Sequence, residues 1–298
     1  MQKRDIMFKH LTMAFVASTA LSLAIPAMAQ TATSSDLVST VALNTSPVDY
    51  SFYDKVIKKV SVTEGGRPRL AYDFIRDQEG DFIGEYVSKL SAQNVENLSK
   101  SDQLAYWLNL QNIVTIEAIL NEGKGKRSLK KLRGTAQKPG KLWTKPRVVI
   151  AGQNMSLHDI ETKILTEFEN PNVIYGIYQG VRGAPGLTPE AYRGATVDEM
   201  LDKNAKQYVN SKGIVAVKNN VVKVTPIFLW YQEAAFGGND MALNEHLKLH
   251  AYPNLKSALF RGKSFGASSL NYRLDEYKAP KQDVYSSSSR GGGGGYGS

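Results

Sequence analysis

Cysteine is missing altogether from the 298 residues. Without it the chain can form no disulfide, hold no thiolate-ligated metal and use no thiolate nucleophile. Histidine is scarce too, at His10, His158, His246 and His250, which leaves few imidazoles for catalysis or metal binding. After residue 28 no apolar run approaches the roughly 20 residues that a bilayer-spanning helix needs. Motifs with built-in chemistry are absent as well: there is no G-x-S-x-G, no H-E-x-x-H and no Walker loop. These gaps exclude thiol enzymes, zincins and nucleotide-cradling folds, and no cofactor is expected.

What is present starts with a leader. Lys3, Arg4 and Lys9 precede an uncharged apolar stretch, 11–28, and Ala27-Met28-Ala29 has the small-x-small pattern of a cleavage site. Residues 1–29 are expected to be a signal peptide, so the chain is expected to be exported, to the periplasm or beyond. The formal charge is +9, and loss of the leader would leave about +7. Much of this excess lies between Lys124 and Arg147, where ten lysines and arginines occur with no acidic residue. Residues 124–147 read as a solvated connecting loop, with contact to an anionic surface as the sharper alternative. Nucleic acid is not expected as a partner.

The chain then divides by composition. Residues 30–47 are a Ser/Thr-rich linker and residues 280–298, ending SSSSRGGGGGYGS, cannot bury apolar surface. Between them, 48–279 is expected to be one α+β domain with a central buried helix, short strands and a β-hairpin. The central helix is Asp102–Asn121, apolar in nearly every direction, with Ser101 as N-cap and Gly123 as terminator. Ser156 and Asp159 form a capping box opening a helix to about Phe168, and Thr196 and Glu199 form a second, opening a helix to about Val209. Ile214–Val217 and Val221–Val224 flank Asn219-Asn220 as a hairpin. Leu70–Ile83 is mixed, with 69–77 readable as a strand, and Val173–Ile177 reads as a strand emptying into a loop with Gly180, Gly183 and Gly186. Pro226–Phe236 reads as one helix.

Several polar groups stand where a site could form. Asn109 and Asn112 lie 60° apart on the apolar helix, where a carboxamide needs partners. They satisfy loop backbone or reach into a site. Tyr175, Gln179 and Arg182 belong to the glycine loop, a common place for ligands. Glu161 lies one turn into its helix beside the apolar stripe, as a possible acid/base or a structural ion-pair partner. His246 and His250 have metal-binding i, i+4 spacing, but no third ligand is evident and no metal is expected.

The segments AYWLNLQN (105–112), VVIAGQNMSLHDIE (148–161), VIYGIYQGVRGAPGL (173–187), FLWYQEAAFGG (228–238) and SLN (269–271) together resemble the domain of unknown function 547 family. The resemblance implies an α+β domain found in exported bacterial proteins. Typical members carry His at the positions of Thr162 and Ile174 and Cys at that of Ala184, an arrangement that would suit thiol chemistry. This chain departs at all three places. Two functions remain open: a binding or accessory module for an unknown small or polymeric envelope ligand, held by Asn109, Asn112, Tyr175, Gln179 and Arg182, or a cysteine-independent hydrolase or transferase using Glu161.

Overall fold

The computed structural model describes residues 47–64 and 67–277. The expected leader, nearly all of the linker and the Ser/Gly-rich tail lie outside the described residues.

The chain opens with α1 (Ser51–Val60), the hairpin β1 (Ser61–Glu64) and β2 (Arg67–Leu70), α2 (Tyr72–Gln78) and α3 (Gly80–Ser91). Only the start of 69–77 is strand. Tyr72 and Ile75 are spaced three apart and are the buried residues of α2, the helical rather than the alternating pattern.

The axis of the fold is α4 (Lys100–Glu122), 23 residues long and buried at almost every position from Leu104 to Leu120. It caps earlier than expected. Ser99, not Ser101, accepts the Asp102 amide at 3.1 Å. Gly123 does end the helix, but with φ −91° rather than in the left-handed region. Its lack of a Cβ is still required, because one would lie 2.6 Å from the Ile119 carbonyl oxygen.

The basic stretch is not a featureless loop. It folds into two single-turn helices, α5 (Lys130–Arg133) and α6 (Lys141–Thr144), and then enters the hairpin β3 (Pro146–Ile150) and β4 (Gln153–Ser156). Ala151 and Gly152, both at positive φ, make the hairpin turn, and Gln153 and Asn154 pair with Ile150 and Val149. The helix α7 (Leu157–Glu167) follows directly with the expected reciprocal Ser156–Asp159 capping box.

Val173–Ile177 is not a strand. Asn170 accepts the Asn172 amide, Pro171 occupies the first helical position, and Pro171–Tyr175 forms a 3₁₀ turn against α7 and α8 (Val197–Val209). Thr196 stands before α8 but makes no side-chain cap, its hydroxyl meeting Met200 Sδ instead. The predicted hairpin is present as β5 (Val215–Lys218) and β6 (Val221–Val224). Asn219 and Asn220 lie at φ 50° and 61°, as a two-residue type I′ turn requires.

Pro226–Phe236 is interrupted at Tyr231 into α9 (Pro226–Trp230) and α10 (Gln232–Phe236). The described chain closes with α11 (Asp240–His250), α12 (Pro253–Leu259) and β7 (Ser264–Ala267), which pairs parallel to β6. Three small sheets thus pack among helices in a mixed α+β fold around one hydrophobic cluster. Among the described residues no helix is long and apolar enough to cross a membrane.

Candidate functional site

The expected site residues all belong to α4, α7 or the loop 173–193, yet they do different work. Asn109 binds the loop twice, its Nδ2 donating to the Tyr192 carbonyl at 2.8 Å and its Oδ1 accepting the Tyr192 amide at 2.9 Å. Asn112 Oδ1 accepts the Tyr178 amide at 2.9 Å. Both side chains are buried, so these carboxamides satisfy loop backbone from inside the core.

The glycine loop is equally committed. The Arg182 and Gly183 amides donate to the carbonyls of Arg273 and Asn271, and Arg182 Nη2 donates to the Glu276 carbonyl at 2.9 Å. A Cβ on Gly180 would lie 2.3 Å from Ile119 Cδ1, and one on Gly183 would lie 2.6 Å from the Asn271 nitrogen. These glycines allow close packing of backbone against α4 and the terminal segment; their amides form no phosphate cradle. Tyr175 is buried, its ring stacked on His246 at 5.7 Å and its hydroxyl 2.9 Å from His246 Nε2. Burial raises the Tyr175 hydroxyl well above its ordinary pKa, and burial together with the neighbouring His250 holds His246 down to about 4.

Glu161 and Gln179 do meet. Gln179 Nε2 donates to Glu161 Oε2 at 3.1 Å, and Trp143 Nε1 donates to the same oxygen at 2.9 Å. The countercharge is Arg133, the last residue of α5. Its Nη2 lies 3.4 Å from Glu161 Oε2 and its Nε donates to Gln179 Oε1 at 2.6 Å. The guanidinium carbon lies over two indoles, 4.3 Å from the Trp143 ring centre and 5.0 Å from that of Trp230. Tyr231, at the helix break, receives Gln179 Nε2 at 2.8 Å and Arg133 Nη2 at 3.4 Å. Burial first, and then the Glu161 charge, raise the Tyr231 hydroxyl far above its usual range. Arg133 is 0% exposed and Glu161 is 2% exposed. A salt bridge with this many hydrogen bonds and two aromatic faces is closed to solvent, and its carboxylate has no free path to a substrate.

Sequence reasoning had no means to select Arg133, which is one of ten cations in a run, nor to link it with Trp143, Trp230 and Tyr231. The only signal was a single Trp near the end of a basic stretch. Of the positions where the resemblance implies Cys and His, Ala184 and Ile174 are buried and Thr162 is exposed. His246 and His250 adjoin each other, with His250 Nδ1 3.4 Å from Asp202 Oδ1, but among the described residues no group of three or more His, Asp or Glu side chains is placed to hold a metal ion.

One concave surface with room for a ligand is lined in part by Lys163 of α7. A groove of about 650 Å³ runs between the end of α3, the start of α4 and the β3–β4 hairpin. Its floor includes Trp107 and Met155, and carboxamides of Gln93, Asn94, Gln103 and Gln153 line it. Lys163 reaches over Trp107, with Nζ 5.1 Å from the ring centre.

Residues 95–209 match the sequence model of the family described as Protein of unknown function, DUF547. The matched part runs from the approach to α4 through α8, and so includes the Asn pair, Glu161 and the glycine loop. The segments 228–238 and 269–271 lie beyond it. No curated protein and no solved structure matches the chain.

Proposed function

We propose that this chain is an exported, envelope-associated member of the DUF547 family with a binding or accessory role, and that its ligand occupies the groove beside Trp107. Export rests on the leader-like residues 1–29. One contrast carries the binding role: the ionised pair at Glu161 is sealed inside the core, whereas the carboxamide-lined groove is open. Asn94 and Gln153 present a donor and an acceptor side by side, while Gln93 and Gln103 give their Nε2 to the Lys89 and Leu98 carbonyls and keep Oε1 as the group to offer. An indole adds an apolar face, a combination that suits a polyhydroxylated polymer. A neutral glycan of the envelope is therefore the favoured ligand class, with Gln103, Gln153 and Lys163 as its polar contacts. The exposed lysines of 124–147 remain available to an anionic surface, although Arg133 is withdrawn into the core and Lys145 and Arg147 pair with Glu122.

Calorimetric titration with soluble envelope glycan fragments tests this reading. Binding should weaken about tenfold in Gln103→Ala and in Lys163→Ala, in line with the loss of one or two hydrogen bonds. Arg182→Ala, away from the groove, should bind as wild type. Unchanged affinity in both groove variants would remove the site. Substrate turnover lost in a folded Glu161→Gln variant would replace the binding reading by catalysis.

A further inference from the structure

A second surface stands out on the far part of the chain, beyond the family match. From His246 to Leu274 there is no acidic residue, and from Lys203 to Gln232 there is none either. The two stretches fold together: β7 pairs with β6, α12 packs against β5, and the Lys263 amide donates to the Asn220 carbonyl at 2.8 Å. Lys218, Lys223, Lys256, Arg261 and Lys263 are all exposed on these elements.

Exposed apolar side chains occur among these cations. Leu249 and Tyr252, three residues apart at the end of α11, are 70% and 61% exposed, and Phe260 at the end of α12 is 68% exposed. The corner that presents them is built. Asn210 receives the Tyr252 amide at 2.7 Å and donates to the His250 carbonyl at 2.9 Å, and Lys248 lies 4.5 Å from the centre of the Phe260 ring while paired with Glu245. Most large apolar side chains among the described residues are in the core, so three large exposed ones within residues 249–260 need a reason.

We infer that the α11–α12 corner, with the adjoining β5–β7 sheet, docks on the surface of a bilayer rich in anionic lipid. The apolar side chains Leu249, Tyr252 and Phe260 enter the headgroup layer and the surrounding cations contact lipid phosphates. Charge complementarity selects this occupant. Glu245 and Asp202 are the acidic residues beside the corner, engaged with Lys248 and with His250. A second copy of the chain would therefore set one predominantly basic face against another, and an apolar protein partner would leave the cations unmatched. Neither contribution alone anchors a protein well, whereas a few inserted side chains combined with several cations give reversible attachment. This corner is separate from the 124–147 stretch, where Arg133 is buried and Leu129 and Leu142 face the core.

Vesicle co-sedimentation of residues 30–298, which retain every described residue, tests the inference. Phosphatidylcholine vesicles containing phosphatidylglycerol are compared with vesicles of phosphatidylcholine alone. The protein should sediment with the anionic vesicles, and high salt should release it. The triple variant Lys256→Glu/Arg261→Glu/Lys263→Glu should lower partitioning on the order of a hundredfold. Leu249→Ser/Tyr252→Ser/Phe260→Ser should lower it at least tenfold, with an unchanged circular dichroism spectrum. Reversal of Lys124, Lys126, Lys130 and Lys131 should leave binding in place. The inference is overturned if wild type ignores anionic vesicles, if the corner variants bind as wild type, or if only the 124–131 reversal abolishes binding. It is also overturned if wild type sediments as a dimer in solution that the corner substitutions dissociate.

Discussion

Arg133 shows how far one residue's role can depend on its fold. Surrounded in sequence by lysines, it is the cation of the stretch with no exposure at all, because the buried Leu129 anchors α5 and Gly134, at φ 70°, reverses the chain just after it. Hydrophobic pattern and composition treat all ten cations of the stretch alike, so this role was not readable beforehand. Glu161 was legible as a polar group beside an apolar stripe, and its reading as an ion-pair partner matches the geometry. Breaking a buried pair leaves an uncompensated charge, so Glu161→Gln should destabilise the fold by about 3–5 kcal/mol in urea unfolding. Adding Arg133→Met should restore at least half of that loss, because the stranded charge goes with it.

Among the elements, the strongly periodic ones were readable and the loop-borne ones were not. α4, the Ser156–Asp159 box and the Asn219-Asn220 hairpin each have local chemistry that decides the conformation. The 3₁₀ turn at Pro171–Tyr175 was mistaken for a strand because a short apolar run reads the same in either state; its position is decided by packing on Leu108 and Leu201, which crowd Gly176. The Asn pair was legible as a demand for partners but not as to which. Asn109→Ala should leave the Tyr192 amide and carbonyl unpaired in the core, at a cost of about 1–3 kcal/mol. Amide exchange at Tyr192 should accelerate by at least tenfold while the centre of α4 remains protected. Equal acceleration throughout α4 would show that Asn109 supports the helix rather than the loop.

For the molecule as a whole, the α+β class and the central helix followed from the order of patterns. The assembly of segments from 100 to 277 into one core did not, since no local signal records which loop meets which strand. That assembly also determines the response to acid. Burial, and to a smaller extent the charge of His250, lower His246 to about 4 from 6.5, and burial lowers His250 against the pull of Asp202. The unfolded chain therefore binds more protons than the folded one between these values, so stability falls as pH drops from about 6.5 to about 4. His246 alone accounts for roughly 3 kcal/mol of that fall. Urea midpoints across this range should decline steeply in wild type, and His246→Gln should flatten the decline while retaining a hydrogen bond to Tyr175. A slope unaltered by the substitution would assign the acid sensitivity to the carboxylates instead.

The pairing of Arg182 and Gly183 with Arg273 and Asn271 bears on when this protein can become itself. The loop's donors sit in the middle of the chain and their acceptors come some ninety residues later. A chain made or threaded from its N-terminus must wait with that loop unsatisfied until almost the last described residue has arrived. Such a fold closes late, and a polypeptide that closes late stays pliable until its far end is in place.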